Sequence, residues 1–199
     1  MSKISMLALL WIIAFSSCKN SKKEIDQLEI AKQYYQVLDN SDHAGMATLI
    51  KDSILTIETE ADYEQKFSQK EYIDWLKWDS VFEPTYKILD IEQENGAVKA
   101  TISKIDKRIS FLHEEPVVTR QVIRFDHDKI ISIETTKYII FNDTKFVKNR
   151  EALLSWMEEN HPDLNRFIYD QTEAGGLKYL KAIALYQNRK SSVGNGKQN

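Results

Sequence analysis

The chain has 199 residues, of which 42% are hydrophobic and 29% are charged, a composition typical of one globular domain with a substantial core. Its formal net charge of -3 and isoelectric point near 5.9 argue against nucleic-acid binding. No cluster of lysine and arginine with interleaved aromatic residues occurs outside the two ends, so we predict no nucleic-acid partner.

Residues 1–17 have the pattern of a secretory signal peptide. Lys3 precedes an apolar run from Ile4 to Phe15, which is too short for the ~20 residues that span a bilayer. The only cysteine, Cys18, follows after two serines. This arrangement resembles the signal of bacterial lipoproteins, in which the cysteine is lipidated and becomes the mature N-terminus.

The lipoprotein resemblance implies that residues 18–23 are a lipidated tether to a membrane. The protein is then expected in the bacterial cell envelope, at the outer membrane in a Gram-negative organism. Each buried CH₂ contributes roughly 0.8 kcal/mol, so several acyl chains would hold the domain there. Alternatively, Cys18 is an incidental thiol in a cleaved signal or a membrane anchor. A single cysteine allows no intrachain disulfide.

Two helices are predicted at the start of the mature chain. From Glu24 to Leu38, apolar residues recur with helical spacing, and their broad stripe indicates a well-buried helix. The turn Asp39-Asn40-Ser41-Asp42 ends this helix and caps a second one from about His43 to Ile50.

A strand and a third helix are predicted next. The segment Ile54 to Glu60 is rich in isoleucine and threonine, which is typical of a strand. Ser68 and Glu71 match a capping box at the start of a helix, which Pro84 prevents from continuing.

Residues 85–141 are predicted to form a four-strand antiparallel meander. Asn95-Gly96 indicates a type I′ turn, because both central positions of that turn need a positive φ. The resulting pairs are Gln93 with Val98, Ile91 with Ala100, Leu89 with Ile102, and Glu92 with Lys99. This register gives one mostly apolar face and one charged face.

The second hairpin has two possible registers. A two-residue turn at His127-Asp128 mixes the faces, whereas a three-residue loop that includes Lys129 pairs Phe125 with Ile131. We predict the three-residue loop, which also pairs Ile123 with Ile133.

In the strand that begins at Ala97, the apolar residues of one face have even numbers as far as Ile102 and odd numbers after it. The odd-numbered residues are Ile105, Ile109 and Phe111. A bulge near Ser103-Lys104 is therefore predicted, and it would bend the sheet.

Two helical stretches follow the meander. One is capped by Asn149, and the other begins at Asp163 and is interrupted at Gly175-Gly176. Residues 142–188 are therefore predicted to be a helical extension packed on the same domain. The polar residues 189–199 are predicted to be a disordered tail.

The predicted order of helix, helix, strand, helix and four-strand meander resembles the nuclear transport factor two-like superfamily, which includes SnoaL-like cyclases and ketosteroid isomerases. The local matches are Lys32 to Glu58 and the hairpin from Val122 to Ile130. The resemblance covers residues 24–141. It implies an α+β fold with a cystatin-like curved antiparallel sheet, wrapped by the N-terminal helices into a cone around a pocket.

The isomerase branch implies two candidate catalytic residues. They are Tyr34 as oxyanion donor and Glu58 as proton shuttle, because a buried phenol can donate and a carboxylate with raised pKa can move a proton. The second acidic donor of that branch has no counterpart, since Gln121 and Thr135 near its place are not acids. The plainer interpretation is a core aromatic at Tyr34 and a solvated Glu58.

Trp75 and Trp78 suit either a stacking platform for an apolar ligand or core packing. The candidate pocket residues are therefore Tyr34, Trp75, Trp78, Gln121 and Thr135. The segment Asp126-His127-Asp128 lies in a tight turn where its side chains point apart, so we predict no metal site and no cofactor.

Three functional hypotheses follow. The first is non-catalytic binding of a small apolar or amphipathic molecule, or of a protein partner, at the membrane surface. The second is an enzyme of the isomerase or cyclase type that uses Tyr34 and Glu58. The third is an assembly module that forms a homodimer through the outer face of the sheet, where the charged pair Glu92 and Lys99 argues against a wholly apolar interface.

Overall fold

The computed structural model describes residues 26–164 and 166–194, and describes only the backbone of residues 190–194. The predicted signal peptide, Cys18 and tether lie outside these residues, as does the end of the predicted tail. The helices are α1 (Gln27–Asp39), α2 (His43–Leu49), α3 (Gln69–Ser80), α4 (Lys107–Leu112), α5 (Asp143–Asn160) and α6 (Glu173–Gly194). The strands are β1 (Ile50–Glu58), β2 (Tyr63–Ser68), β3 (Thr85–Glu94), β4 (Ala97–Ile105), β5 (Val117–Asp126) and β6 (Lys129–Ile140).

Side-chain caps fix where the first helices begin. The carboxylates of Asp26 and Asp42 accept backbone N–H groups at the starts of α1 and α2. At α3 the predicted capping box is confirmed: the backbone N–H of Ser68 donates to Glu71 Oε2 at 2.7 Å, and the Glu71 N–H donates to Ser68 Oγ at 3.3 Å.

The strands form one sheet with the order β2-β1-β6-β5-β4-β3. Strands β1 and β6 run parallel, while all other neighbours are antiparallel. The predicted antiparallel pairing of the four meander strands is confirmed, and β1 joins the meander as a parallel neighbour of β6. The chain between β1 and β6 passes through the other four strands and returns in the same direction, as a parallel pair requires.

The edge strand β2 is absent from the sequence-based assignment. Only Tyr63 and Phe67 are large apolar positions in it, and Glu64, Gln65 and Lys66 lie between them. Strand β2 pairs with a neighbour on one side only, and its other edge is exposed to solvent. Its pattern of apolar residues is therefore weak.

The first hairpin has the predicted turn. Asn95 has φ 52° and Gly96 has φ 75°, as both central positions of a type I′ turn require. The confirmed pairs are Gln93 with Val98, Ile91 with Ala100, and Glu92 with Lys99.

A bulge in β3 displaces Leu89 from the predicted apolar face. The register shifts between Ile88 and Asp90, so that Ile88 pairs with Ile102 in place of Leu89. Leu89 is 49% exposed, and its predicted inward position is wrong because the bulge inserts one extra residue.

The turn of the second hairpin is shorter than predicted. His127 and Asp128 form a two-residue turn, and the flanking pairs are Asp126 with Lys129, Phe125 with Ile130, and Ile123 with Ile133. The extra residue, Ile131, lies as a bulge within β6 instead of in the loop. The predicted loop is wrong, but the pairing of Ile123 with Ile133 is confirmed.

Strand β4 ends at Ile105, where Asp106 caps helix α4 by accepting the backbone N–H of Ile109. Ile109 and Phe111, which the sequence predicts to continue the strand, belong to this helix. The change from even-numbered to odd-numbered apolar residues after Ser103-Lys104 therefore marks the end of the strand and not a bulge.

The main core fills the concave face of the sheet under α1, α2 and α3. Buried members of this core include Tyr35, Met46, Ile54, Val98, Ala100, Ile102, Ile123, Ile130 and Ile133, with Ile91 packed at its edge. The predicted apolar side of the sheet is thus confirmed for Ile91, Ala100, Ile123 and Ile133.

Helix α5 begins earlier than predicted. Asn142 caps it by accepting the backbone N–H of Lys145 at 2.9 Å. Asn149, the predicted cap, lies inside the helix and donates through its side chain to the backbone oxygen of Leu112 at 2.9 Å.

Gly175 and Gly176 lie within α6 and do not interrupt it. A Cβ atom at Gly175 would come within 2.0 Å of the backbone oxygen of Asp170, and one at Gly176 within 3.2 Å of the backbone oxygen of Trp78. The glycines therefore permit close packing. Helix α6 also includes residues 189–194, which the sequence assigns to a disordered tail.

Helices α3, α4, α5 and α6 enclose a second core. Its buried members include Trp78, Phe82, Leu112, Leu153, Met157, Phe167, Tyr179 and Ala182. The C-terminal helices therefore pack on α3 and α4, and not over the outer face of the sheet. Within the described residues, none of the helices has the length and hydrophobicity needed to cross a membrane.

Candidate ligand-binding site

A cavity of about 250 Å³ lies between the concave face of the sheet and helices α1 and α3. The helices contribute Tyr34, Tyr72 and Trp75 to its wall, and β2 contributes Tyr63 and Phe67. Tyr63 is 53% exposed and therefore lies at the mouth.

Three polar side chains of the cavity lie in one row across the sheet. Residues in register along this row are Tyr63, Glu58, Thr135, Gln121 and Ala100 on successive strands. The next row toward the core contains Gln65, Thr56, Ile133, Ile123 and Val98, and its first three members line the cavity. Because residues in register point to the same face, the sheet presents a mainly polar surface to the cavity, with Ile133 as an apolar contact beside it.

Glu58 is half-buried and lines the polar end. Tyr138 donates its hydroxyl hydrogen to Glu58 Oε2, with an O···O distance of 2.9 Å. Burial raises the pKa of the Glu58 carboxyl, and it outweighs the hydrogen bonds from Tyr138 and Thr135, which lower it.

Tyr34 is 4% exposed and belongs both to the core and to the cavity wall. Its hydroxyl oxygen lies 2.7 Å from that of Tyr72, and either hydroxyl can donate. Burial raises the pKa of both phenols. Tyr34 is thus engaged with another neutral hydroxyl inside a dry part of the wall.

Gln121 and Thr135 are brought together as neighbours in the polar row. Tyr35 donates its hydroxyl hydrogen to Gln121 Oε1 at 2.8 Å, and Gln121 Nε2 lies 3.5 Å from Thr135 Oγ1. These contacts orient the amide of Gln121 at the floor of the cavity.

The two tryptophans of α3 have different surroundings. Trp75 lines the cavity and stacks with Tyr72, with ring centroids 5.7 Å apart. Trp78 is 5% exposed and packs edge-on against Phe82 in the second core. Of the two alternatives for this pair, core packing holds for Trp78, because the next turn of α3 faces the C-terminal helices, whereas Trp75 lines the cavity.

A buried ion pair lies behind the cavity wall. Lys104 Nζ donates to both carboxylate oxygens of Asp79, at 2.6 and 2.8 Å, and the Tyr86 hydroxyl donates to Asp79 Oδ2 at 3.0 Å. Burial alone would raise the pKa of Asp79, but Lys104 and Arg108 outweigh it and lower the pKa. This network joins α3 to β3, β4 and α4.

Sequence reasoning missed several residues of the cavity. Tyr63 and Phe67 escaped because β2 has too weak an apolar pattern to predict. Gln171, which also lines the cavity, comes from the loop before α6, and nothing in the neighbouring sequence indicates that it lies near the cavity. The only available signal was that Tyr63 and Phe67 would lie on the same face if this segment were an edge strand.

The turn of the second hairpin forms ordinary ion pairs. Asp126 contacts Lys51 and the Nδ1 atom of His127. In the part of the chain that the structure describes, no group of three or more potential metal ligands occurs.

No protein-family model matches the chain, and no curated protein matches it significantly. It is similar to the solved structure of an NTF2-like protein of unknown function from Cytophaga hutchinsonii, with 8% identity, coverage of 59% of this chain and 93% of that chain, and a TM-score of 0.47. A proposed ketosteroid isomerase from Kribbella flavida has 7% identity, coverages of 58% and 79%, and a TM-score of 0.49. An uncharacterized cystatin-fold protein from Novosphingobium aromaticivorans has 14% identity, coverages of 56% and 98%, and a TM-score of 0.48.

The helix pair, the curved six-stranded sheet and the third helix that closes the concave face agree with the cone that the sequence resemblance implies. The predicted α+β fold class and the C-terminal helical extension are confirmed. The fold fixes where the cavity lies, whereas the chemistry of the cavity depends on the side chains described above.

Proposed function

We propose that the cavity binds one small amphipathic molecule and does not transform it. The observation that carries this proposal is the combination of a polar row containing Glu58, the adjoining apolar side chain of Ile133, and an aromatic wall containing Trp75. The volume of about 250 Å³ is near the lower end of ligand sites, which suits a molecule with one or two rings.

Two features favour binding over catalysis. The hydroxyl of Tyr34 is engaged with that of Tyr72, and burial raises the pKa of both phenols, which weakens them as proton donors. In addition, the resemblance to the isomerases implies a second acidic donor, whereas the polar row beside Glu58 contains the amide of Gln121, which does not transfer a proton at neutral pH.

Binding of 2-naphthol, a neutral apolar ring system with one hydroxyl group, tests the proposal by equilibrium dialysis. We expect saturable binding at one site and about tenfold weaker binding to Thr56→Phe, whose ring would fill the cavity. The matched control is Val122→Phe, which adds the same bulk on the opposite face of the sheet and should leave binding unchanged. Binding that is non-saturable, or equal in the two variants, would refute the proposal.

A second candidate function is isomerisation through Tyr34 and Glu58. It is favoured by one observation: both side chains line the same cavity, and burial raises the pKa of Glu58 as a general base requires. The probe is the conversion of 3-cyclohexenone to its conjugated isomer, followed by ultraviolet absorbance. If this function is real, Glu58→Gln should slow the reaction by about 10²-fold or more, because general base catalysis typically contributes that much.

Lipidation of Cys18 is proposed separately, from the sequence alone. It would hold the cavity at a membrane surface in the bacterial cell envelope. In cells, Cys18→Ser should move the protein from the membrane fraction to the soluble fraction, with loss of the lipid mass. Ser17→Ala, which keeps the cysteine, is the control and should stay with the membrane.

A further inference from the structure

The cavity has an uncompensated negative charge. Glu58 is the one charged side chain among the described residues that line it, and no lysine, arginine or histidine of the described chain contributes to the wall. Glu60 adds a second negative charge nearby, since its Oε2 atom accepts the backbone N–H of Tyr138 at 2.8 Å.

Glu58 has neutral hydrogen-bond partners. The hydroxyl of Tyr138 donates to its carboxylate, Thr135 lies opposite it on the neighbouring strand, and no ion pair among the described residues includes Glu58. Asp79, a buried carboxylate of this region, is instead held by Lys104. The ammonium nitrogen of Lys104 lies 4.9 Å from the centre of the Tyr86 ring and donates to Asp79.

The aromatic wall is suited to positive charge. Phe67 and Tyr72 meet edge to face with centroids 5.8 Å apart, and Tyr72 stacks on Trp75. The faces of such rings attract organic cations, most strongly where water is excluded. A ligand with a cationic nitrogen and an apolar body would therefore find a partner for each part.

We propose that the ligand is an organic ammonium ion, with its nitrogen at Glu58 and its apolar part against the aromatic wall and Ile133. The inference rests on the proposed ligand-binding function and specifies the chemical class of the ligand. A bound ammonium ion would supply the counter-charge that none of the described residues gives Glu58.

Binding and ionisation of Glu58 are then linked. Burial raises the pKa of Glu58 above the ordinary glutamate value of about 4.3, and a cation binds only the ionised form tightly. The facing phenols of Tyr34, Tyr72 and Tyr86 have raised pKa values and stay neutral. Affinity for a permanently charged cation should therefore fall as the pH drops through the pKa of Glu58.

The test compares benzyltrimethylammonium, whose charge is independent of pH, with neopentylbenzene, its neutral counterpart of the same shape. Displacement of 2-naphthol from the full chain gives both affinities. We expect the cation to bind at least about tenfold more tightly at pH 7.5, with the preference lost on acidification. In direct titrations with the two compounds, Glu58→Gln should remove the preference and the pH dependence.

Glu64→Gln is the matched control, because it removes the same charge from the exposed face of neighbouring strand β2 and should leave the preference intact. The inference would be overturned if the cation and its neutral counterpart bound equally, or if phenylacetate bound more tightly than the cation. In either case, saturable binding of 2-naphthol would still support the proposed function. Absence of 2-naphthol binding would overturn both.

Discussion

Replacement of Asp79 by asparagine should destabilise the junction of helix α3 with strands β3 and β4. Asp79 is 2% exposed and accepts hydrogen bonds from Lys104 and Tyr86, which lie on different strands. Asparagine keeps the size and can still accept from Tyr86, so the substitution removes charge without creating a cavity.

The expected magnitude follows from burial of the pair. Loss of one partner from a buried ion pair typically costs about 3–5 kcal/mol, because the remaining charge stays desolvated. The side chain of Lys104 is 19% exposed, so water can partly rehydrate its ammonium group. We therefore expect a loss near the lower end, about 3 kcal/mol in the free energy of unfolding.

Urea denaturation followed by tryptophan fluorescence provides the assay, since Trp75 and Trp78 lie on the same helix as Asp79. The control is Asp74→Asn on this helix, which breaks exposed contacts to Lys70 and Lys77 and should shift the midpoint far less. A double variant with Lys104→Met should be less destabilised than the sum of its single variants.

The effect should depend on pH in a defined direction. The pKa of Asp79 is lower in the native state than the unfolded value of about 3.9, so its contribution is present above about pH 4. It is lost as the pH falls through the native value, where wild type and Asp79→Asn should converge. An equal midpoint for Asp79→Asn and Asp74→Asn at pH 7 would refute the stabilising role of the ion pair.

Three smaller substitutions test other features by urea denaturation. Ser68→Ala should cost about 1 kcal/mol because it removes the capping box, and a loss of zero would contradict that role. Gly175→Ala should cost about 1–3 kcal/mol or more, since its Cβ would overlap the backbone oxygen of Asp170; wild-type stability would show that α6 does not pack this closely. Leu89→Asn should change the free energy of unfolding by less than about 0.5 kcal/mol, because Leu89 lies exposed on a bulge. A large loss of stability would indicate that Leu89 points into the core.

Local signals in the sequence predicted the features that depend on a few adjacent residues. The Asn95-Gly96 turn is specified by backbone sterics, and the capping box of Ser68 and Glu71 by unpaired N–H groups within one helical turn. The fold class followed from the order of such elements. These features need no knowledge of distant parts of the chain.

The candidate site was predicted in part. Tyr34, Glu58, Trp75, Gln121 and Thr135 line one cavity, whereas Trp78 belongs to the second core. The helical periodicity of α3 placed both tryptophans on a buried stripe but could not say which neighbour each one meets. That depends on α6, whose packing is set by residues nearly a hundred positions away.

Tertiary packing decided the register of the strands wherever two registers have nearly the same local free energy. The extra residue of the second hairpin lies at Ile131 and not in the loop, and the bulge of β3 exposes Leu89, because the buried concave face fixes the rest of each strand.

By itself, the sequence determined the Asn95-Gly96 turn, the start of α3 and most of the apolar side of the meander, because each depends on the conformational preferences of neighbouring residues. Only the tertiary structure placed Glu58 beside Thr135, with no cationic partner for its carboxylate among the described residues. The parallel pairing of β1 with β6 joins segments far apart in the chain, and such contacts are chosen by the free energy of the whole packed core.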